Sequence, residues 1–311
     1  MTTFKIVLSY DGTDYVGWQR QANGISIQAL IEDALRVLDG GDVTVAGAGR
    51  TDAGVHALGQ VASFTIAREL SPGVLLRAIN AHLPPDIRAL SAEEAPPGFH
   101  PRFGARRKTY RYRLWNGDVL SPFERAYAWH VPGSLDVEAM DAAARLIEGR
   151  HDFAAFQATG SDVATTEREI FSSRVIAGLK PCATAAGTAC AAAAGIERGA
   201  VAGIERGAVA GTERGAAAGT ERGAAAGIES GAGLQPCDPS IAYEVTGSGF
   251  LRHMVRIIVG SLVEVGRGRQ PVEWIGAVIA SRDRAMAGPT APPHGLFLVD
   301  VEYAAALADG S

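Results

Sequence analysis

The sequence predicts a mixed α/β protein built as two similar halves, and three observations carry that prediction. Alternating stretches rich in β-formers stand at Phe4–Tyr10 and again at Thr109–Trp115, the period of a strand with one buried face. Each is followed by apolar residues at helical spacing: Leu30, Ile31, Ala34, Leu35 and Leu38 in the first case, Met140, Ala143, Ala144 and Ile147 in the second. The order strand, helix, strand, helix, strand recurs after Arg106, dividing the chain into an N-terminal half, 1–105, and a C-terminal half, 106–311. At 311 residues the chain can form two domains, or one large one, with a substantial core.

After the first strand, Asp11-Gly12 makes a turn and leads into Gly17-Trp18-Gln19-Arg20-Gln21. A helix is expected over Ser26–Leu38, with Ser26 as its N-cap. A second helix is expected over Pro72–Ile79, ending before His82-Leu83-Pro84-Pro85-Asp86. In the second half, Pro132–Ser134 marks a turn and Asp136–Gly149 reads as a helix, followed by His151-Asp152-Phe153 and Phe156. Ile170–Val175 is expected to pair with Ile241–Thr246 as a hairpin. The apolar run Phe250–Val265 reads as a helix buried on most sides, and a helix at Val272–Ser281 and a strand at Leu296–Tyr303 follow.

The most informative stretch is Gly47–Phe64, GAGRTDAGVHALGQVASF. Its glycines suit a sharply bent loop, and Asp52 stands at the centre of the bend with Arg50 two residues before it. A loop held by flanking strands is a common way to present one carboxylate to a substrate. Asp52 can serve as a nucleophile, as a general base, or as a turn residue bonding its own backbone. Arg50 would hold and aim the carboxylate. Arg252, Arg256 and Gly260 fall four residues apart on the apolar helix. An arginine there must reach solvent or find an anion, and Asp52 is a candidate for that anion. His56 fits a structural role better than a catalytic one. The Asp52…His56 spacing offers no third ligand, so no metal is expected.

The formal charge is −5, yet local distribution matters more for nucleic acid than the sum. Arg102–Arg113, RFGARRKTYRYR, contains no acid. Arg102, Arg106, Arg107, Lys108, Arg111 and Arg113 are interleaved there with Phe103, Tyr110 and Tyr112. Cations meet phosphates and aromatic faces stack on bases; the plainer reading is a solvated edge strand. On a strand, Tyr110 and Tyr112 share one face while Arg111 and Arg113 share the other.

From about 177 to 239 the chain changes character, repeating GIERGAVA, GIERGAVA, GTERGAAA, GTERGAAA and GIESGAGL. Interior glycines cost a helix about 1 kcal/mol each relative to alanine, and few large apolar residues are present to offset ordering. A mobile insertion within a hairpin is expected, a docking element being the alternative. Cys182, Cys190 and Cys237 fall in or beside it and read as reduced thiols. The N-terminus lacks a signal-peptide pattern and no run approaches the ~20 apolar residues of a membrane span. A cytoplasmic protein with no membrane contact is expected.

GRTDAGVHALGQV resembles the catalytic motif of the TruA-type tRNA pseudouridine synthases. The similarity extends through YDGTDYVGWQRQ, INAHLPPDI, FHPRFGARRKTYRYRLWN, GRHDFAAF and GFLRHMVRIIVGSLVEVGRG, in the family's order. The resemblance implies an α+β pseudouridine synthase fold: a largely antiparallel sheet from two ferredoxin-like halves with a cleft between them. It implies isomerisation of uridine to pseudouridine at positions 38, 39 and 40 of the tRNA anticodon stem-loop, with neither cofactor nor metal, by a homodimer whose two subunits both contact the tRNA. By the same resemblance Asp52 is the catalytic carboxylate, Arg256 pairs with it, Tyr110 lies beside the target base, and Arg50 replaces the flipped nucleotide or holds the loop. A tRNA-binding or chaperone protein of the same fold without significant catalysis is the alternative. A glycoside hydrolase would need a second carboxylate beside Asp52, and none is evident.

Overall fold

The computed structural model describes residues 1–158, 160, 163–178 and 240–304. Contacts divide the chain into one unit of Met1–Lys180 with Cys237–Ser311 and a second, Pro181–Pro236. The second unit, nearly all of the expected insertion, and Cys182, Cys190 and Cys237 lie outside the described residues. Among the described residues the strands form one ten-stranded sheet, mostly antiparallel, as the α+β expectation requires. No described helix is long and apolar enough to cross a membrane.

The first strand, β1 (Thr2–Tyr10), buries Phe4, Ile6, Leu8 and Tyr10 on one face, as its alternation predicts. Helix α1 (Ile27–Asp39) is capped by Ser26, whose Oγ accepts from the Ala29 N–H at 3.3 Å. The short β2 (Ala46–Gly47) leads into the Asp52 loop, and β3 (His56–Ile66) leaves it to pair antiparallel with β1. Helix α2 (Pro72–His82) runs three residues beyond its expected end, and β4 (Ile87–Glu94) pairs with β1 as the sheet edge.

The second half begins with β5 (Ala105–Trp115), four residues longer at its start than alternation alone suggests. Short β6 (Trp129–His130) precedes α3 (Val137–Arg145), which Asp136 caps through the Ala139 N–H at 2.9 Å. The helix stops four residues before Gly149, its expected end, and Gly149 instead opens β7 (Gly149–Asp152). Met140, Ala143, Ala144 and Ile147 are nevertheless all fully buried, as their spacing predicts. Strands β8 (Glu167–Ala177) and β9 (Ser240–Gly247) pair antiparallel, with Val175 opposite Tyr243.

Helix α4 (Met254–Gly266) is almost entirely buried. Each such Ile, Leu or Val contributes about 2 kcal/mol relative to an exposed one. It starts four residues later than its apolar run, because His253 adopts a left-handed backbone (φ 62°). Arg252 thus precedes the helix, and only Arg256 and Gly260 keep the expected spacing on it. After α5 (Trp274–Ser281), β10 (Leu296–Tyr303) enters the middle of the sheet, parallel to β3 and antiparallel to β5. The sheet order is β4-β1-β3-β10-β5-β9-β8-β7, so β10 is the seam between the strands of the two sequence halves.

Candidate active site

The Asp52 loop is fixed by side chains that reach it from three strands. From β5, the Lys108 ammonium donates to the Ala48 carbonyl at 2.7 Å. From β3, Gln60 Nε2 donates to the Gly49 carbonyl at 2.8 Å. From β1, the Tyr10 hydroxyl bonds Thr51 Oγ1 at 2.9 Å, and burial pushes the Tyr10 phenol up to about 12. The stretch around Trp18 lies against the same loop, its N–H donating to the Thr51 carbonyl at 3.1 Å. Gly17 makes that approach possible: its φ is +100°, and a Cβ there would stand 2.5 Å from the Thr51 carbonyl oxygen. Two distant motifs in the sequence thus form one platform under Asp52.

The Asp52 side chain is 30% exposed, and two groups from the start of α4 meet its Oδ2. Arg256 Nη1 and His253 Nε2 each lie 3.5 Å away. Arg256 is 13% exposed and is braced by its Nε, which donates to the Ala291 carbonyl at 2.7 Å. Gly260 lets the 288–291 segment approach α4, since a Cβ there would stand 1.7 Å from the Pro289 carbonyl oxygen. Burial, then the positive charges of Arg256, Arg252 and Arg284, lowers the His253 pKa against the opposing pull of Asp52. Neutral imidazole is therefore favoured beside the carboxylate.

Tyr110 on β5 is buried and meets Phe250 edge-on at 5.0 Å between ring centroids. Burial, followed by Tyr10 and Asp52, raises its phenol pKa, so the hydroxyl stays protonated at neutral pH. That hydroxyl comes within 3.8 Å of the Cβ position of Gly49, on the Asp52 loop.

Arg50 stands elsewhere. It is exposed and makes no ion pair with Asp52; the two groups against that carboxylate, Arg256 and His253, come from the start of α4 instead. His56 is 1% exposed and lies in the core. Its Nδ1 accepts the Gly12 N–H at 3.0 Å, leaving Nε2 to donate to the carbonyls of Ala126 and His294 at 3.2 and 3.1 Å. Both ring nitrogens are used by the fold.

The basic strand divides by face. Tyr110 and Tyr112 are buried on one side, as alternation predicts, while Arg111 on the other is held by Glu244 at 2.8 Å and Arg113 by Glu124 at 2.6 Å. Arg107 covers the Phe171 ring at 4.9 Å, and Arg102 covers Phe103 at 5.7 Å. Arg102, Arg106 and Arg107 are exposed. Sequence reasoning assigned no role to His253 or Gln60. Gln60 lies inside the GRTDAGVHALGQV motif, which was a usable signal; the place of His253 depends on a backbone conformation that composition does not show.

A family model described as tRNA pseudouridine synthase matches residues 6–104 and 143–304. The chain is 38% identical to tRNA pseudouridine synthase A of Syntrophotalea carbinolica over 304 residues, covering 98% of this chain and 97% of that protein. It is 40% identical to the protein of the same name from Myxococcus xanthus, covering 97% of this chain and 92% of the relative. With the Geotalea uraniireducens protein of that name it shares 39% identity, covering 97% of this chain and all of the relative. On a match that spans both halves and the Asp52 loop, the chain belongs to the tRNA pseudouridine synthase family.

Proposed function

We propose that this protein isomerises uridine to pseudouridine at positions 38, 39 and 40 of the tRNA anticodon stem-loop, with Asp52 as the catalytic carboxylate. The observation that carries the reading is the asymmetry of Asp52. Its Oδ2 faces Arg256 and His253, while Oδ1 stands on a side chain open enough to meet a substrate. In the reaction the N1–C1′ bond breaks, the uracil turns, and C5 bonds to C1′. The C5 proton then leaves and N1 ends protonated, so the product has unchanged mass. A carboxylate can assist by adding to ribose or base, or by taking the 2′ proton. Tyr110 lies beside the base and assists the late loss of the C5 proton. Arg256 positions Asp52. Arg50, exposed and not paired with the carboxylate, fills the stack vacated by the flipped nucleotide.

In this reading the halves 1–105 and 106–311 each supply part of the site: Asp52 and Arg50 from the first, Tyr110 and Arg256 from the second. Arg102, Arg106, Arg107 and Lys108 serve tRNA binding, while Arg111 is already neutralised by Glu244. The protein acts as a cytoplasmic homodimer with one tRNA touching both subunits, a reading supported by the family resemblance. The test is tritium release from C5-labelled uridine in an unmodified tRNA transcript, comparing the wild type with Asp52→Ala. Release by the wild type alone is expected. Binding without release would favour a tRNA-binding protein of this fold, and liberated uracil a hydrolase.

A further inference from the structure

Several basic residues of the second-half strands are neutralised locally: Arg111 by Glu244, Arg113 by Glu124, Arg174 by Glu148 and Arg150 by Glu167. Lys108 differs. It is half-buried and donates to the Ala48 carbonyl, but no carboxylate among the described residues forms an ion pair with it. The same holds for Arg102, in the turn before β5, and for Arg168, near the start of β8.

Strand register gathers two of these cations, Lys108 and Arg168, at one end of the sheet, and the charge of Arg102 acts on both. Lys108 stands opposite Gly247 of β9, and Gly247 stands opposite Ile170 of β8. Arg168 lies two residues before Ile170, on the same face. Its Cδ and Nε pass 3.8 Å from the Cβ position of Gly249, where no other atom comes within 4 Å. The floor beside Arg168 is therefore bare backbone. Burial and then the charges of Arg102 and Arg168 pull the Lys108 ammonium down to about 8. Burial and then Arg102 likewise lower Arg168. Two cations of the Arg102–Arg113 run and a third from β8 repel one another beside the Asp52 loop, an arrangement that an anion would complete.

We propose that Arg102, Lys108 and Arg168 form a clamp for one RNA backbone phosphate next to the target nucleotide, which adds Arg168 to the RNA-binding surface. The proposal rests on the tRNA-modifying reading above and locates one contact within it. Lys108 ties the clamp to the loop, since the ammonium that faces the phosphate also holds the Ala48 carbonyl, four residues from Asp52.

The test uses the full chain and an anticodon stem-loop RNA, measuring Kd against salt and single-turnover isomerisation. Arg168→Gln is expected to weaken binding about tenfold and to reduce the slope of log Kd against log salt by about 0.7–0.9. The loss should fall on Kd and KM far more than on the single-turnover rate, and Arg168→Lys should recover most of it. Arg168 also donates to the Thr165 and Glu167 carbonyls, so Arg102→Gln, whose side chain makes no such bond, serves as the second variant. A scan of single neutral methylphosphonates should find one position at which neither variant weakens binding further. Wild-type affinity in both variants, or an unchanged defect at every methylphosphonate position, overturns the clamp. Failure of the wild type to bind or isomerise the stem-loop overturns the tRNA reading itself, and the clamp with it.

Discussion

Asp52 and His56 stand four residues apart in one motif, yet the structure treats them in opposite ways. His56 is sealed in the core, stacked on Phe297 with ring centroids 4.6 Å apart, and held by short bonds on both nitrogens. Asp52 is 30% exposed and meets the Arg256 guanidinium and the His253 imidazole only at 3.5 Å. Ordinary charge-assisted bonds are shorter than this, so Asp52 is restrained without being saturated. The difference teaches that a tightly bonded polar residue supports the loop, whereas a loosely partnered one keeps valence for substrate.

The sharpest break in the comparison is Asp52→Asn. Isomerisation should fall at least about 1,000-fold, roughly 4 kcal/mol of barrier, while the melting temperature shifts little, as checked by tritium release and thermal unfolding. His56→Ala should show the reverse. Losing the core ring and leaving the Gly12 N–H without its acceptor should cost about 3 kcal/mol of stability in denaturant unfolding. The surviving folded fraction should keep most of its turnover below the transition.

A finer test separates strain from contact at His253. Glycine relieves the left-handed backbone, so His253→Gly should leave stability equal or higher by about 0.5 kcal/mol. Turnover should nevertheless drop several-fold, on the order of 1 kcal/mol, because Oδ2 loses one neighbour. A gain in stability with undiminished turnover would confine His253 to shaping the helix start.

The smallest effect is in pH. Lys108 in the free protein loses its proton near pH 8, and a phosphate beside it favours the protonated form. Stem-loop affinity should therefore be constant below about pH 7 and weaken several-fold between about pH 8 and 9. Arg102 and Arg168, which face the ammonium, stay charged throughout that range. Lys108→Arg should flatten the profile.

Much of the fold was legible because it rests on local periodicity and capping. Alternation identified β1 and most of β5, the side chains of Ser26 and Asp136 cap α1 and α3, and the pairing of β8 with β9 was readable across the intervening repeats. The failures share a different cause. Nothing local says that Arg111 is neutralised by Glu244, a residue 133 positions away, or that β10 lies between β3 and β5. The helical spacing of Arg252 and Arg256 was misleading because one left-handed residue, His253, starts the helix between them. The loop and its carboxylate were visible as a motif that includes Gln60, whereas Lys108 and Tyr10, which also hold the loop, are brought to it only by tertiary pairing.

The central place of β10 also gives the protein a timetable. The N-terminal strands can assemble among themselves as they are synthesised, but the strand joining β3 to β5 is the last of the described strands to leave the ribosome. Until Tyr303 has emerged, Asp52 on one side of that seam and Arg256 on the other have no shared sheet to hold them in register. The nascent chain can therefore carry the Asp52 motif for most of its synthesis as an incomplete site, and the same late strand that closes the fold closes the candidate site.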